Sequence, residues 1–127
     1  MDRERLAKHT EEFLAAWNSQ DVGRLLSFYT EDCHYQDPNT RGPIVGHEKF
    51  RRYLTKLFQP WKMHWSLKEA HPFADGSGGA FLWHAEIRSA KGGKTLQFDG
   101  MDLVLFRGEL VSRNEVYFDR MAVFGGK

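Results

Sequence analysis

Residues 94–106 read KTLQFDGMDLVLF, with KGG immediately before them and RGE immediately after. Glycine-centred breaks at that spacing are hairpin turns, and the stretch between them has the alternation of a strand. Successive strand side chains point to opposite faces. Leu96, Phe98, Gly100, Asp102, Val104 and Phe106 therefore share one face, and Gln97, Asp99, Met101, Leu103 and Leu105 share the other. Asp102 is the lone carboxylate on an otherwise apolar face. The second face is also apolar around Met101, Leu103 and Leu105, more than a sheet with one wet side needs. This predicts helices over one face and a second subunit over the other.

The same punctuation continues on both sides of this strand. KMHWSLKEAHPF at 62–73, GAFLWHAEIRSA at 79–90 and ELVSRNEVYFDRMAVF at 109–124 are set apart by DGSGG, KGG and RGE. Four consecutive strands joined this way make an antiparallel meander. DGSGG lacks the spacing and the following Lys of a phosphate loop, so it is read as a turn.

Upstream, the hydrophobic period changes from two to helical. Leu6, Phe13, Leu14 and Trp17 mark an amphipathic helix over residues 2–18. SQDVGRLLSFYTED then offers Ser19 or Asp21 as an N-cap, with Val22, Leu25, Leu26 and Tyr29 as the stripe of a second helix. CHYQDP at 33–38 is too short and turn-bounded for a helix and is read as a strand, because Pro38 pushes Asp37 away from helical dihedrals. Residues 47–58 carry Phe50, Tyr53, Leu54, Leu57 and Phe58 at helical spacing and stop before Pro60. The predicted order is helix, helix, strand, helix and four strands, an α+β fold in one domain spanning 1–127.

The chain has 127 residues, long enough for one domain with a real core. Lys plus Arg number 18 against 17 for Asp plus Glu, a net charge of +1, so no global field favours nucleic acid or an anionic membrane. Lys49, Arg51, Arg52 and Lys56 cluster on the third helix and read as a solvated face. One cysteine excludes an internal disulfide framework and fits a reducing compartment. No apolar run approaches the roughly 20 residues of a membrane span. The expectation is a soluble, cytoplasmic protein.

Chemistry rests on few residues. On the first strand Cys33, Tyr35 and Asp37 share a face, with His34 and Gln36 opposite. If that face looks toward Asp102, two carboxylates and a phenol occupy one apolar cavity. Burial and a nearby like charge raise a carboxyl pKa, so such a pair can hold a base and a proton donor together without a metal. The alternative for Asp37 is a turn residue whose carboxylate bonds nearby amides; for Asp102 it is an edge or a solvated rim. Cys33 is read as a small buried group before a nucleophile. His9, His34, His47, His64, His71 and His84 show no metal-ligand spacing. His64 or His84 either reaches the pocket or pairs across the strands. Trp17, Trp61, Trp65, Trp83 and Phe98 are read as core, with one or two lining a flat ligand.

EEFLAAWNSQDVGRLLSFYTEDCHYQDP, GHEKFRRYL and NEVYFD resemble the opening, third helix and last strand of the nuclear transport factor 2-like superfamily, with its ketosteroid isomerases, limonene epoxide hydrolases and SnoaL-like polyketide cyclases. The resemblance spans nearly the whole chain. It implies a curved antiparallel sheet wrapped with three helices into a cone with an internal pocket, paired as a homodimer. It also implies that Asp37 matches the general base of ketosteroid isomerases, Asp102 the protonated Asp that hydrogen-bonds the oxyanion, and Tyr29 a supporting tyrosine. Phe13 stands where the principal oxyanion tyrosine would be and cannot donate. Compared with the epoxide hydrolases, Tyr35 and Asp37 match the Tyr and Asn that orient water and Asp102 matches one relay Asp. Gly100 replaces the relay Arg, however, and the second relay Asp falls near Val116. That leaves Asn114, beside Val116 and Phe118, as a polar contact.

The SnoaL-like cyclases require only a carboxylate in an apolar pocket. The expected function is thus cofactor-independent acid–base chemistry, of isomerase or cyclase type, on a small hydrophobic carbonyl-containing ligand. Asp37, Asp102, Tyr29 and Tyr35 would be catalytic, and Phe13, Trp17, Phe98, Asn114 and Phe118 would bind substrate, with no metal, cofactor, nucleic-acid or membrane partner. The rival expectation is a non-catalytic module using the same cone for a ligand or a protein partner.

Overall fold

The computed structural model of the chain describes residues 1–121. The elements run α1 (Arg3–Ser19), α2 (Val22–Leu26), β1 (Tyr29–Gln36), β2 (Ile44–Val45), α3 (His47–Phe58), β3 (Trp61–Pro72), β4 (Gly78–Ser89), β5 (Thr95–Arg107) and β6 (Leu110–Phe118). Among the described residues six strands form one open sheet in the order β2-β1-β6-β5-β4-β3. Every neighbouring pair is antiparallel except β1 and β6, which run parallel, so the sheet is mixed. A parallel pair needs a long crossover, and here everything from β2 to β5 lies between its two members.

Irregularities in register bend the sheet. β3 slips against β4 between Leu67 and Glu69, β5 against β6 between Leu105 and Phe106, and β1 against β6 between Tyr29 and His34. In β3 the slip turns the strand over: Trp61, Met63, Trp65 and Leu67 face inward before it, and Ala70 after it. Extra residues of this kind kink a strand and increase its twist. The three helices cover the concave side, which holds Leu6, Phe13, Trp17, Phe50, Phe81, Trp83 and Val104 in one core.

The helix ends follow from local chemistry. Asp2 caps α1 by accepting from the Arg5 N–H at 2.8 Å, and Asp21 caps α2 from the Arg24 N–H at 3.1 Å. α1 lies on β3, an edge strand, and its C-terminal residues complete that edge. Asn18 donates to the Trp65 carbonyl and accepts from the Trp65 N–H, at 3.0 and 2.7 Å. Gln20 does the same at the Trp61 carbonyl and the Met63 N–H, at 3.0 and 2.8 Å. Two side-chain amides thus stand in for a missing neighbouring strand. Gln20 adopts φ 54 to do so, a left-handed conformation usually left to glycine.

Several expectations change. The second helix ends at Leu26, and Tyr29 opens β1 opposite Val111, where it gains sheet pairing instead of another helical turn. β1 therefore starts well before Cys33, and the short β2 was not read from the sequence. The last strand ends at Phe118: residues 119–121 leave the sheet, and residues 122–124 of the expected strand lie outside the described residues. The facial alternation of β5 is as expected, with Phe98, Asp102 and Val104 buried and Gln97, Asp99 and Met101 exposed. No helix among the described residues is long and apolar enough to cross a membrane.

Candidate active site

The sheet and helices form a partly open cavity of about 80 Å³. α1 contributes Leu14 and Trp17, β1 contributes Tyr35, α3 contributes Tyr53 and Leu57, and the inner sheet face contributes Trp61, Met63, Trp65, Trp83, Ile87, Leu96, Phe98, Val116 and Phe118. Asp37 and Asp102 both open onto this space. The volume is below the roughly 150 Å³ that takes a benzene ring. The half-buried Tyr53, Leu57, Trp61 and Met63 form part of its wall.

Asp37 is both the turn residue and the pocket residue that its sequence context allowed. Its Oδ1 accepts from the backbone N–H groups of Asn39 and Thr40, at 2.7 and 3.1 Å, which folds the Asp-Pro turn. Its Oδ2 accepts from the hydroxyls of Tyr35 and Tyr53, at 2.7 and 2.5 Å. Burial, followed by the Asp37 charge, holds both phenols above their ordinary pKa, so they remain proton donors. Four donors match the roughly four acceptor positions of an ionised carboxylate.

Asp102 is fully enclosed. Its Oδ1 accepts from the Trp83 indole N–H at 2.7 Å and its Oδ2 from Asn114 Nδ2 at 2.9 Å. Burial pushes its pKa up to about 7; the Asn114 and Trp83 hydrogen bonds pull the other way, and the Asp37 charge adds to the rise. Near neutral pH it can hold or accept a proton, with one lone-pair position on each oxygen still open. Behind it, the Tyr29 hydroxyl donates to Asn114 Oδ1 at 2.7 Å, which fixes the amide so that its NH₂ faces Asp102. Burial, then the Asp102 charge, raises the Tyr29 pKa as well.

Gly100 sets this arrangement. It lies opposite Trp83 in the β4–β5 register, and a Cβ built on it would come within 2.4 Å of the Trp83 ring. The indole needs that space to lie flat across β5 and reach Asp102. A long side chain such as arginine has no room there.

Of the residues singled out from sequence, Asp37, Asp102, Tyr35, Trp17, Phe98 and Phe118 line one cavity. Tyr29 and Asn114 stand behind Asp102, buried and off the cavity surface. Phe13 also lies off the wall, because it faces the side of α1 that packs on Phe28, Tyr29 and Phe81, while Leu14 and Trp17 face the cavity. Sequence reading missed Tyr53 as a partner of Asp37, although it falls on the inward stripe of α3. It also missed Trp83 as a donor to Asp102, since that contact depends on the β4–β5 register. Cys33 is buried away from the cavity. His84 lies on the outer sheet face, where Nδ1 pairs with Asp99 at 2.7 Å. Among the described residues no group of three or more His, Cys, Asp or Glu is placed to hold a metal.

Comparison with known proteins gives one family and one fold. The model for the SnoaL-like domain matches residues 10–114. A candidate isomerase from Bacillus subtilis superposes with TM-score 0.84 at 14% identity, covering 98% of this chain and 95% of that one. A candidate polyketide cyclase from Xanthomonas campestris pv. campestris gives 0.83 at 15%, covering 98% of each chain. An LEH-like epoxide hydrolase from M. tuberculosis gives 0.79 at 15%, covering 97% of this chain and 84% of that one. At such identities these structures establish a shared α+β cone and nothing finer. No curated protein sequence matches the chain.

Proposed function

The chain belongs to the SnoaL-like domain family, and from that membership and the chemistry of its cavity we propose that it catalyses cofactor-independent proton transfer on a small hydrophobic, carbonyl-containing molecule, as an isomerase or cyclase. The observation that carries this reading is Asp102, a buried carboxyl with a pKa raised to about 7 in an apolar cavity that also holds Asp37. A group with a pKa near the working pH combines correct protonation with driving force.

Asp37 is the base and takes a proton from the carbon beside the carbonyl, after one phenol releases Oδ2. Tyr53, half-buried on α3, has more room to do so than Tyr35, which is buried and stacked on Phe50. The electron pair of the broken C–H bond moves onto oxygen as an enolate. Neutral Asp102 donates a hydrogen bond to that oxygen, held in place by Trp83 and by the Tyr29–Asn114 pair. Asp37 then returns the proton to another carbon in an isomerase; in a cyclase the enolate carbon attacks a second carbonyl, whose C=O electron pair moves onto its oxygen and takes the proton back from Asp37. The reading includes a homodimer through the outer sheet face and a cytoplasmic setting, the latter supported only by the single cysteine.

The test is hydrogen–deuterium exchange at the α-carbons of 2-indanone in D₂O, followed by NMR. The protein should exceed the buffer rate, and Asp37→Asn should lose about 100-fold or more of that excess while still binding the ketone. One observation favours a second reading, a ligand-binding module: the acceptor positions of Asp37 are all occupied by protein donors. Wild-type exchange no faster than buffer would put that reading first.

A further inference from the structure

Among the described residues two buried side-chain polar atoms have no hydrogen-bond partner, Thr30 Oγ1 and the indole nitrogen of Trp65. An N–H removed from water and left unpaired is costly, and folded proteins pair nearly all such groups. Thr30 is not part of the cavity lining; the Trp65 side chain is, with its indole nitrogen covered by neighbouring side chains, so a ligand reaches the N–H as those side chains part. The unpaired group is also not the result of a loosely held residue. The Trp65 backbone is gripped on both its N–H and its carbonyl by Asn18. Its ring stands edge-on to Trp83, with centroids 4.7 Å apart and planes at 83°, and edge-on to Trp17 at 6.3 Å. Trp83 is the residue that donates to Asp102. The unpartnered indole is therefore one ring away from the carboxyl that carries the proton.

We infer that the Trp65 indole N–H is reserved for the ligand and donates to an oxygen acceptor, a carbonyl or the enolate derived from it, on a molecule whose carbon skeleton fills the apolar cavity. An indole nitrogen donates and does not accept, so it selects for an acceptor in the ligand. As charge gathers on that oxygen the hydrogen bond strengthens, which makes Trp65 a second donor beside Asp102. This deepens the proposed function, and of that reading it requires only that an apolar, oxygen-bearing molecule occupies the cavity.

The experiment compares acetophenone with α-methylstyrene, two flat molecules of the same shape that differ by an oxygen in place of a CH₂. Indole N–H resonances are followed by ¹H–¹⁵N NMR in the wild-type protein, with Trp65 assigned by triple-resonance spectra and checked against Trp65→Phe. Acetophenone should move the Trp65 indole proton downfield and α-methylstyrene should not. The preference of the wild type for the ketone should fall by about tenfold in Trp65→Phe, the worth of one hydrogen bond. Deuterium exchange plays no part in this readout, so a protein that binds without catalysing still passes it. A Trp65 proton indifferent to the ketone, its N–H spent on the Trp83 ring face, overturns the inference, as does an unchanged preference in the variant. Failure of both probes to bind at millimolar concentration overturns the apolar-ligand reading and this inference together.

Discussion

At the scale of single residues, Asp102 ties stability to pH. Its folded pKa is near 7 against an ordinary 3.8, so between those values the folded state holds a proton that the unfolded chain has lost. Stability from this group is therefore full below about pH 4 and falls as pH rises to about 7, by on the order of 4 kcal/mol in total. His9 acts in the opposite sense. Burial lowers its pKa, so the unfolded state gains a proton first and acid weakens the fold below about pH 6.5. Urea unfolding of wild type and Asp102→Asn at several pH values separates the two. The wild type should lose ground to the variant steadily from pH 4 to 7, with the difference level above that. Carboxyl-carbon NMR provides a second check: Asp37→Asn should lower the Asp102 pKa, because a nearby negative charge has gone. Asp102 was legible in the sequence as a single acid on an apolar strand face. The double role of Asp37 was not, because the sequence shows which groups an aspartate can bond but not that its two oxygens bond different partners.

At the scale of elements, β4 and β5 act as one device. Gly100→Ala should push the Trp83 ring aside, cost about 1–3 kcal/mol through overpacking and, by weakening a hydrogen bond that holds the carboxylate charge, raise the Asp102 pKa further. Denaturant titration and the same carboxyl signal measure the two effects. The edge of β3 makes a separate prediction. Asn18→Ala removes both bonds to Trp65 and should cost about 1–3 kcal/mol while leaving an open strand edge, detectable as concentration-dependent aggregation in light scattering. Helices α1 and α3 and the strands of the meander were readable because their hydrophobic periods are long and clean. The parallel pairing of β1 with β6, the short β2 and the amide clamp were not, since each depends on contacts between segments far apart in the chain.

At the scale of the whole molecule, the outer sheet face remains to be accounted for. Met101 and Tyr117 are cross-strand partners there, exposed by 36% and 48%. Met101 belongs to the apolar set, with Leu103 and Leu105, from which the sequence predicts a second subunit. We propose that this face pairs with a second copy, and Met101→Lys should then lower the sedimentation mass from dimer to monomer without changing the far-ultraviolet circular dichroism. A wild type that sediments as a monomer would leave Met101 and Tyr117 as ordinary surface residues. The one parallel pair has a different consequence, in time. Because β6 follows every other strand among the described residues, a chain emerging from the ribosome displays β1 with that edge unpaired until β6 is made. Asp37 is made before most of the residues that line its cavity. Such long-range pairing slows folding, and the nascent cone depends on β6 to close the wall in which its own chemistry sits.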